Sequence, residues 1–565
     1  MRVAQRSCRV TVSVVAGSLW VASSVAGQDQ PRMMVGPPPG VAPAQQPAQP
    51  PPAQPQPAAQ TQQPAHPQQA STAPGMLSLM DAVRTTLQKH PAIAAARNAL
   101  FARGAERTLA DAPFDVVISS SLGHRMDREP LLPFERIDPE EREIKTDTTE
   151  LRLGAAKTFD IGTTVLPSVS LARVHSRRSP EAMALMGTQE PVQRARVELA
   201  VTQPLLRGAG RDGAASNLIA SEHGIRAAEH GVRFTAQQQV FDTMVAYWTL
   251  VAAEHERSLF RVSVERSAKL VEETRALVDA DQRPRGDLRQ FEGNLVNRQR
   301  SLLEAEGSRQ QALHRLQLVM GLQAGATASW QPSDTFPAAN TPSIEGAQLT
   351  DTAIKTRPDL QAASEAVASS AALYEGADHN TLPALDLNVA IGYSGALDDD
   401  GVGPFFEAAG SNVPGVSGGA SLTLELPVGN RAQRAARDLA HAQQMADEIA
   451  RDDLARNVRT QVLSALDALR YSAATVEAAR KAEAYYELAL RDERDKLRAG
   501  LSTVIDVVLT EERLTQAQLS RVQSELNYAV ALAQLSRDSG GLPASEADLQ
   551  SSASLIAPGS PNGGR

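Results

Sequence analysis

Apolar residues recur at steps of four and three over long stretches of this chain. Leu454, Val458, Val462, Leu466, Leu469, Ala473 and Val476 form one series, and Ile505, Val508, Leu519, Val522, Leu526, Ala529 and Ala533 form another. Mixed three–four spacing puts such positions on one stripe of a helix and predicts coiled-coil-like packing. Many of them are alanine, which lets helix axes approach closely. By this pattern, helices are predicted over residues 77–110, 212–280, 287–320, 347–378, 431–498 and 503–537. The second of these is about 69 residues long, or about 100 Å at the rise of an α-helix, and its two neighbours are about 34 residues each. In the second half a helix of about 68 residues is flanked by helices of about 32 and about 35. Two short helices stacked end to end beside one long helix make a rod of even thickness.

A second pattern, of period two, precedes each long helix. Leu385, Leu387, Val389, Ile391 and Tyr393 alternate with Asp386, Asn388, Ala390 and Gly392, and residues 420–426 alternate as cleanly. In the first half Val197, Leu199 and Val201 alternate with Arg196, Glu198 and Thr202, while residues 116–122 are a weaker strand. Residues 150–153 and 165–174 read as a further hairpin turning near Phe159, Asp160, Ile161 and Gly162, either part of the same wall or a separate loop structure. Alternation alone fits any sheet with one wet face, a small soluble β-domain included. Here one face carries charges such as Asp386 and Glu425, the other is an unbroken aliphatic set, and little apolar sequence remains to cover it. Lipid on one side and water on the other resolve the pattern. Four or six strands cannot close a membrane barrel, and open edges are excluded from hydrocarbon, so several chains must build one barrel together.

The chain also states its plan twice. Leu79, Met80, Asp81, Ala82 and Val83 lead to Lys89, His90, Pro91 and an alanine-rich run; Leu349 to Ile354 lead to Thr356, Arg357, Pro358 and another, about 267 residues on. Each run is followed by a strand, then by a strand ending in proline (Gln203, Pro204; Leu426, Pro427), a glycine turn and a very long helix.

The ends narrow the compartment. Arg2, Arg6 and Arg9 precede a short apolar stretch ending in Ser24, Val25 and Ala26, which reads as a secretory signal over residues 1–27. Residues 28–75, rich in Pro, Gln and Ala, form an arm that buries too little apolar surface to order itself. Residues 76–340 and 341–540 are the two repeats, and 541–565 a loose tail. The single cysteine, Cys8, lies inside the signal, so no disulfide is expected in the mature chain. Across 565 residues aromatics are 4% and the formal charge is −9, with no basic excess to attract nucleic acid. No metal-ligand cluster, phosphate loop or nucleophile motif stands out, so no catalysis and no cofactor are expected; His223, His230, His255 and His314 lie scattered on helices and read as polar-face residues.

Signal, repeat, paired helices and alternating strands together resemble the TolC family of outer-membrane efflux channels. The likeness runs from about Leu77 to Gly540. It is most specific at the strand exit Gln203, Pro204, Leu205, Leu206, Arg207 and Gly208, at Ala246, Tyr247 and Trp248, and at the run from Gly500, Leu501 and Ser502 through Asp506 to Val508. The resemblance implies a mainly α fold with membrane β-strands: a homotrimer sharing one twelve-stranded barrel above a periplasmic α-helical tunnel. It implies an outer-membrane location, an inner-membrane transporter and a periplasmic adaptor as partners, and a passive export role in a tripartite efflux pump or a type I secretion system, with the cargo (drug, metal or polypeptide) left open. Asp506 matches the family's constriction aspartate, although Leu509 stands where some members have a second one; the alternative is a helix-start residue favoured by the helix dipole. Asp287 holds the equivalent place in the first hairpin. The preceding turn, Asp281, Arg283, Arg285 and Gly286, suggests that Arg283 or Arg285 pairs with a carboxylate and latches the tip, against a reading as merely solvated charge. Together with Gly500, Leu501 and Ser502, these residues are the expected adaptor-docking tips. The rival to a channel is a periplasmic coiled-coil adaptor or structural rod.

Overall fold

The computed structural model describes residues 75–549, apart from 137, 187–191, 324–329, 341–344 and 399–414. The expected signal, nearly all of the arm and the end of the tail lie outside the described residues.

Proline places the first break in each repeat. Helix α1 (Leu79–Lys89) ends at His90 and α2 (Pro91–Asp111) starts directly after it; α7 (Gly346–Thr356) ends at Arg357 and α8 (Pro358–His379) follows. A proline disfavours helical geometry in the residue before it. His90 and Arg357 accordingly sit at φ −68°, ψ 126° and φ −66°, ψ 124°. The two breaks fall at Pro91 and Pro358, where the repeated pattern puts a proline between a short helix and a longer alanine-rich one, and are the same joint built twice. His90 caps its helix by accepting from the Ala92 amide at 3.2 Å. Arg357 instead spans buried space to Asp359 (2.6 Å), Gln461 (3.1 Å) and the Asp538 carbonyl (3.3 Å).

The long helices lie close to their predicted bounds. A short α4 (Gly210–Ala214) breaks at Ala215 (φ −117°, ψ 19°) before α5 (Ser216–Asp279), and α6 (Arg285–Val319) returns along α5. In the second repeat α9 (Arg431–Arg498) turns into α10 (Val504–Asp538). The 64 residues of α5 and the 68 of α9 correspond to about 96 and about 102 Å. The end of α6 abuts the first proline break: a Cβ on Gly321, at φ +72°, would stand 2.7 Å from the Lys89 carbonyl. Gly540, at φ +77°, meets Thr356 at the second break in the same way. These contacts stack the short helices end to end beside the long ones.

On α9 the expected seam is buried from Val458 to Val476, with Leu454 half-buried. On α10 the seam begins one residue earlier than predicted. Val504, Val507 and Leu514 are buried and Ile505 is exposed, while further along Val522, Ala529 and Ala533 are buried as predicted. The Ala246–Trp248 patch is a packing centre near the middle of α5. Tyr247 donates to Asp334 Oδ2 (2.7 Å) and to the Leu77 carbonyl (3.0 Å), while Trp248 stacks on Phe336. A two-residue parallel bridge, β1 (Met76–Leu77) to β6 (Gln331–Pro332), ties the connecting segments across this centre.

At the other end the helices give way to a single antiparallel sheet. Its strands are β2 (Val116–Pro130), β3 (Glu143–Thr158), β4 (Thr164–Arg177), β5 (Val192–Pro204), β7 (Ala384–Asp398) and β8 (Val416–Glu425), in that spatial order. A short helix, α3 (Pro180–Met186), lies between β4 and β5. The weak strand predicted at 116–122 runs on to Pro130, and the undecided hairpin is β3–β4, hydrogen-bonded into the sheet on both sides. The register aligns one aliphatic face across all six strands. One row pairs Leu122 with Leu151 and Leu151 with Leu171; another runs from Leu153 through Val169 and Val197 to Tyr393 and Val416. The alternate face carries Ser121, Arg152, Ser170, Arg196 and Ser394 in register. The aliphatic face is left open, with Ile118 82% and Leu122 75% exposed. No helix among the described residues is long and apolar enough to cross a membrane.

Candidate functional site at the helical hairpin turns

Far from the sheet, both long hairpins turn through the same backbone device. A helix ends cleanly when one residue adopts the left-handed conformation and the last carbonyls are taken by the two amides that follow. In the second hairpin Gly500 (φ +73°) does this: its amide donates to the Leu497 carbonyl at 3.2 Å and the Leu501 amide to Lys496 at 2.9 Å. In the first hairpin the position is Asp281, at φ +56°, with the Asp281 amide donating to Val278 (3.0 Å) and the Gln282 amide to Leu277 (2.9 Å). An aspartate tolerates this geometry better than most residues, but with more strain than glycine. Gly286, predicted as part of the turn, lies in the first turn of α6 with open space around it, so no steric need for glycine exists there.

Asp506 is the third residue of α10, in a reciprocal cap. Its carboxylate accepts from the Thr503 hydroxyl (2.6 Å) and amide (3.2 Å), and its own amide donates to Thr503 Oγ1 (3.3 Å). This capping box satisfies two amides that the helix start leaves without partners. The Thr503 hydroxyl and then its amide hold the carboxyl below its ordinary range, with Ser502 and Lys496 adding to the effect. The sequence alternative of a helix-start role is therefore realised, and it fixes an exposed, ionised carboxylate at the tip. Ser502 knots the same turn by donating to Glu493, whose carboxyl is held low by Ser502 and by Lys496. Leu501 stands out from the tip with 79% of its surface exposed.

In the first hairpin Asp287 lies 3.6 Å from Arg283, and Arg283 reaches across to the second hairpin, donating to the Leu497 carbonyl at 3.4 Å. Arg283 thus joins the two tips, whereas Arg285 is exposed and has no ion pair among the described residues. Behind the tips Val271, Phe291 and Val504 form a small shared core with Leu288 and Leu497 at its margin.

One or two turns further in lies a feature that the motif search missed. Glu511 on α10 is fully buried, with Arg266 of α5 at 3.8 Å and Arg494 of α9 at 3.9 Å. Neither carboxylate oxygen has a hydrogen-bond partner, and the buried Nε atoms of both arginines and the hydroxyls of Ser263 and Ser267 have none either. Burial lowers the Arg266 pKa; Glu511 raises it, and Arg494 and Arg298 lower it further. Charges are removed from water only where opposite charge offsets the loss of hydration, so this layer ties the first hairpin to the second through one carboxylate. The signal was present in the seam itself: Glu511, Thr515 and Gln518 occupy stripe positions where the neighbours are Val507, Leu514 and Val522.

Among the histidines, His223 pairs with Glu365 across α5 and α8 at 2.7 Å, and half-buried His255 stacks on Phe336. No group of metal-ligating side chains exists among the described residues.

Comparison with known proteins agrees with this architecture. The profile of the outer membrane efflux protein family matches residues 349–541. No curated protein matches the chain. Among solved structures, the outer-membrane channel OprN is similar at 16% identity and a TM-score of 0.58, over 82% of this chain and 90% of its own. CusC is similar at 15% identity and a TM-score of 0.57, over 86% of this chain and 99% of its own. The open state of the Neisseria gonorrhoeae MtrE outer membrane channel gives 17% identity and a TM-score of 0.56, over 83% and 90%. At such identities the structural likeness establishes the fold: helical rods in two repeats with a shared β part.

Proposed function

We propose that this chain, a member of the outer membrane efflux protein family with the fold of the TolC-type channels, works as one third of a homotrimeric export duct. It receives substrate from an inner-membrane transporter through a periplasmic adaptor, in a tripartite pump or a type I secretion system. It is a conduit and not an enzyme. The observation that carries this reading is the sheet whose aliphatic face lies open across six strands. A periplasmic rod would leave that face in water, at about 25 cal/mol for every Å² exposed. Lipid covers it without cost, and the charged and hydroxyl-bearing face then lines an aqueous lumen.

In this reading residues 1–27 direct export, residues 28–75 form an arm and residues 541–565 a tail around the repeats 76–340 and 341–540. The helices descend into the periplasm, and the hairpin turns close the far end. Asp506 and Asp287 face the constriction, where three copies of an ionised carboxylate attract cations. Asp281, Arg283, Arg285, Gly286, Gly500, Leu501 and Ser502 present the docking tips, with exposed Leu501 as the apolar contact. The test is outer-membrane fractionation followed by single-channel conductance of the purified protein in planar bilayers, with Asp506→Ala alongside. Cation-selective openings whose selectivity falls in the variant support the reading. A channel indifferent to the change moves the constriction elsewhere, and folded protein that forms no channel returns the chain to the periplasmic-rod reading.

A further inference from the structure

We infer that the assembled barrel has eighteen strands, not the twelve that the family resemblance implies, and that its outer mouth is correspondingly wider than the tunnel beneath it. The inference rests on the trimeric channel reading. Four strands of each copy, β2, β5, β7 and β8, continue into helices; β3 and β4 turn back on themselves at the helical rim. The question is whether that hairpin is wall or appendage.

Three observations make it wall. First, it is hydrogen-bonded along nearly its whole length on both sides, Val116–Pro130 to Glu143–Lys157 and Thr164–Val174 to Val192–Thr202, so β2 never meets β5. Second, its apolar positions fall in the same rows as those of its neighbours: Leu153 and Val169 stand between Ser120 and Val197, while Arg152 and Ser170 share the face of Ser121 and Arg196. A hairpin folded away from the bilayer has no reason to keep a lipid-facing and a water-facing side in that register. Third, its inner turn is seated on the rim. The Gly210 amide donates to the Ile161 carbonyl at 3.2 Å, Arg211 lies 3.6 Å from Asp160, and Lys157 donates to the Phe114 carbonyl on the other flank. Gly162, at φ +89°, lies so close that a Cβ there would stand 2.3 Å from the Gly208 carbonyl and 2.8 Å from Pro204.

An even strand count also closes without fault. β2 and β8 are the two open edges and run in opposite directions, so β8 of one copy meets β2 of the next in antiparallel pairing. Barrel width grows with strand number; at a spacing near 4.8 Å and a tilt near 40°, eighteen strands give a backbone diameter of about 36 Å against about 24 Å for twelve.

Single-cysteine variants of the full chain test this, in a Cys8→Ser background that removes the only native thiol. Leu153→Cys and Val169→Cys probe the lipid side of the hairpin, Arg152→Cys and Ser168→Cys the lumen side, and Ile391→Cys on β7 serves as reference. In reconstituted trimers, a fluorophore at 153 or 169 should be quenched by nitroxide-bearing lipid as strongly as one at 391. At 152 and 168 that quenching should be lost and a membrane-impermeant thiol reagent should react. If all four hairpin positions react with the aqueous reagent while 391 stays in lipid, the hairpin lies outside the wall, and the eighteen-strand barrel fails with the channel intact. If 391 itself is aqueous, the channel reading fails, and this inference with it.

Discussion

Removing the Glu511 carboxylate by Glu511→Gln should loosen the joint between the two hairpins. The buried carboxylate faces Arg266 at 3.8 Å and Arg494 at 3.9 Å. At an effective dielectric constant of 20, a pair 4 Å apart attracts by about 4 kcal/mol, so two such pairs give a gross term of about 8 kcal/mol. Most of it is offset by lost hydration, and breaking a buried pair typically costs about 3–5 kcal/mol. The arginine side chains keep 25% and 30% of their exposure, which selects the lower end of that range, about 3 kcal/mol. Because the variant leaves two guanidinium groups facing each other across α5 and α9, the loss should appear as local opening. Hydrogen exchange over residues 507–518 should accelerate about 150-fold, the ratio that corresponds to about 3 kcal/mol, with α2 unchanged. Adding Arg266→Met should recover part of the loss, since it removes one of the stranded charges. Exchange within about threefold of the parent at residues 507–518, an opening of well under 1 kcal/mol, would refute the reasoning. It would mean that water solvates this layer and the carboxylate holds nothing together.

Three further outcomes follow from the hairpin tips. Asp281→Gly removes the strain of a left-handed aspartate and should stabilise the first turn by about 1 kcal/mol, read as about fivefold slower exchange at Gln282 and Arg283; faster exchange would count against the shared turn geometry. Arg283→Ala, which cuts the reach to the Leu497 carbonyl, should raise channel conductance, while Arg285→Ala should leave it unchanged; the reverse order would move the latch to Arg285. The folded-state pKa of Asp506 lies below its ordinary value of 3.8, so its capping contribution is fully present above that value and is lost only as pH falls through the lowered one. Cation selectivity should therefore hold steady from about pH 5 to about pH 8 and fall only as pH drops through the lowered value, below 3.8. Selectivity that titrates near neutrality would show that repulsion among three carboxylates outweighs the Thr503 hydrogen bonds.

Long-range architecture was legible because it is written in periods. A stripe repeated from Leu454 to Val476 leaves few alternatives, and α9 lies where it was predicted, from Arg431 to Arg498. The aliphatic rows of β5, β7 and β8 were equally plain. What the pattern obscured has local causes. Residues 116–122 alternate poorly because Ser119, Ser120 and Ser121 interrupt the rhythm, and the strand is held in place by pairing with β3. Membership of β3–β4 in the wall depends on contacts between strands distant in sequence, which a period of two cannot reveal. At the tips, the family resemblance pointed to Asp506 and Asp287, whereas the capping box and the Arg283 bridge came from geometry. Glu511 was hidden for a different reason: a charged residue on a stripe reads as a break in the seam until its partners on two other helices are known.

The sheet's two open edges also pose a problem of order in time. A lone copy displays β2 with Val116, Val117 and Ile118 at its inner end, all exposed and uncharged, and β8 as a matching donor. Head-to-tail strand addition between such edges has no intrinsic stop, and natural β-proteins blunt edges of this kind with charge or proline. Here the blunting is confined to the outer part of β2, at Arg125, Asp127, Arg128, Glu129 and Pro130. The inner part stays adhesive, so growth into a fibre and closure into a ring compete from the first encounter of two copies. Only the helical rods, by fixing the angle between neighbours, bias that competition toward closure. In the trimeric reading, biogenesis is therefore a race in which the rods must find one another before the strands do.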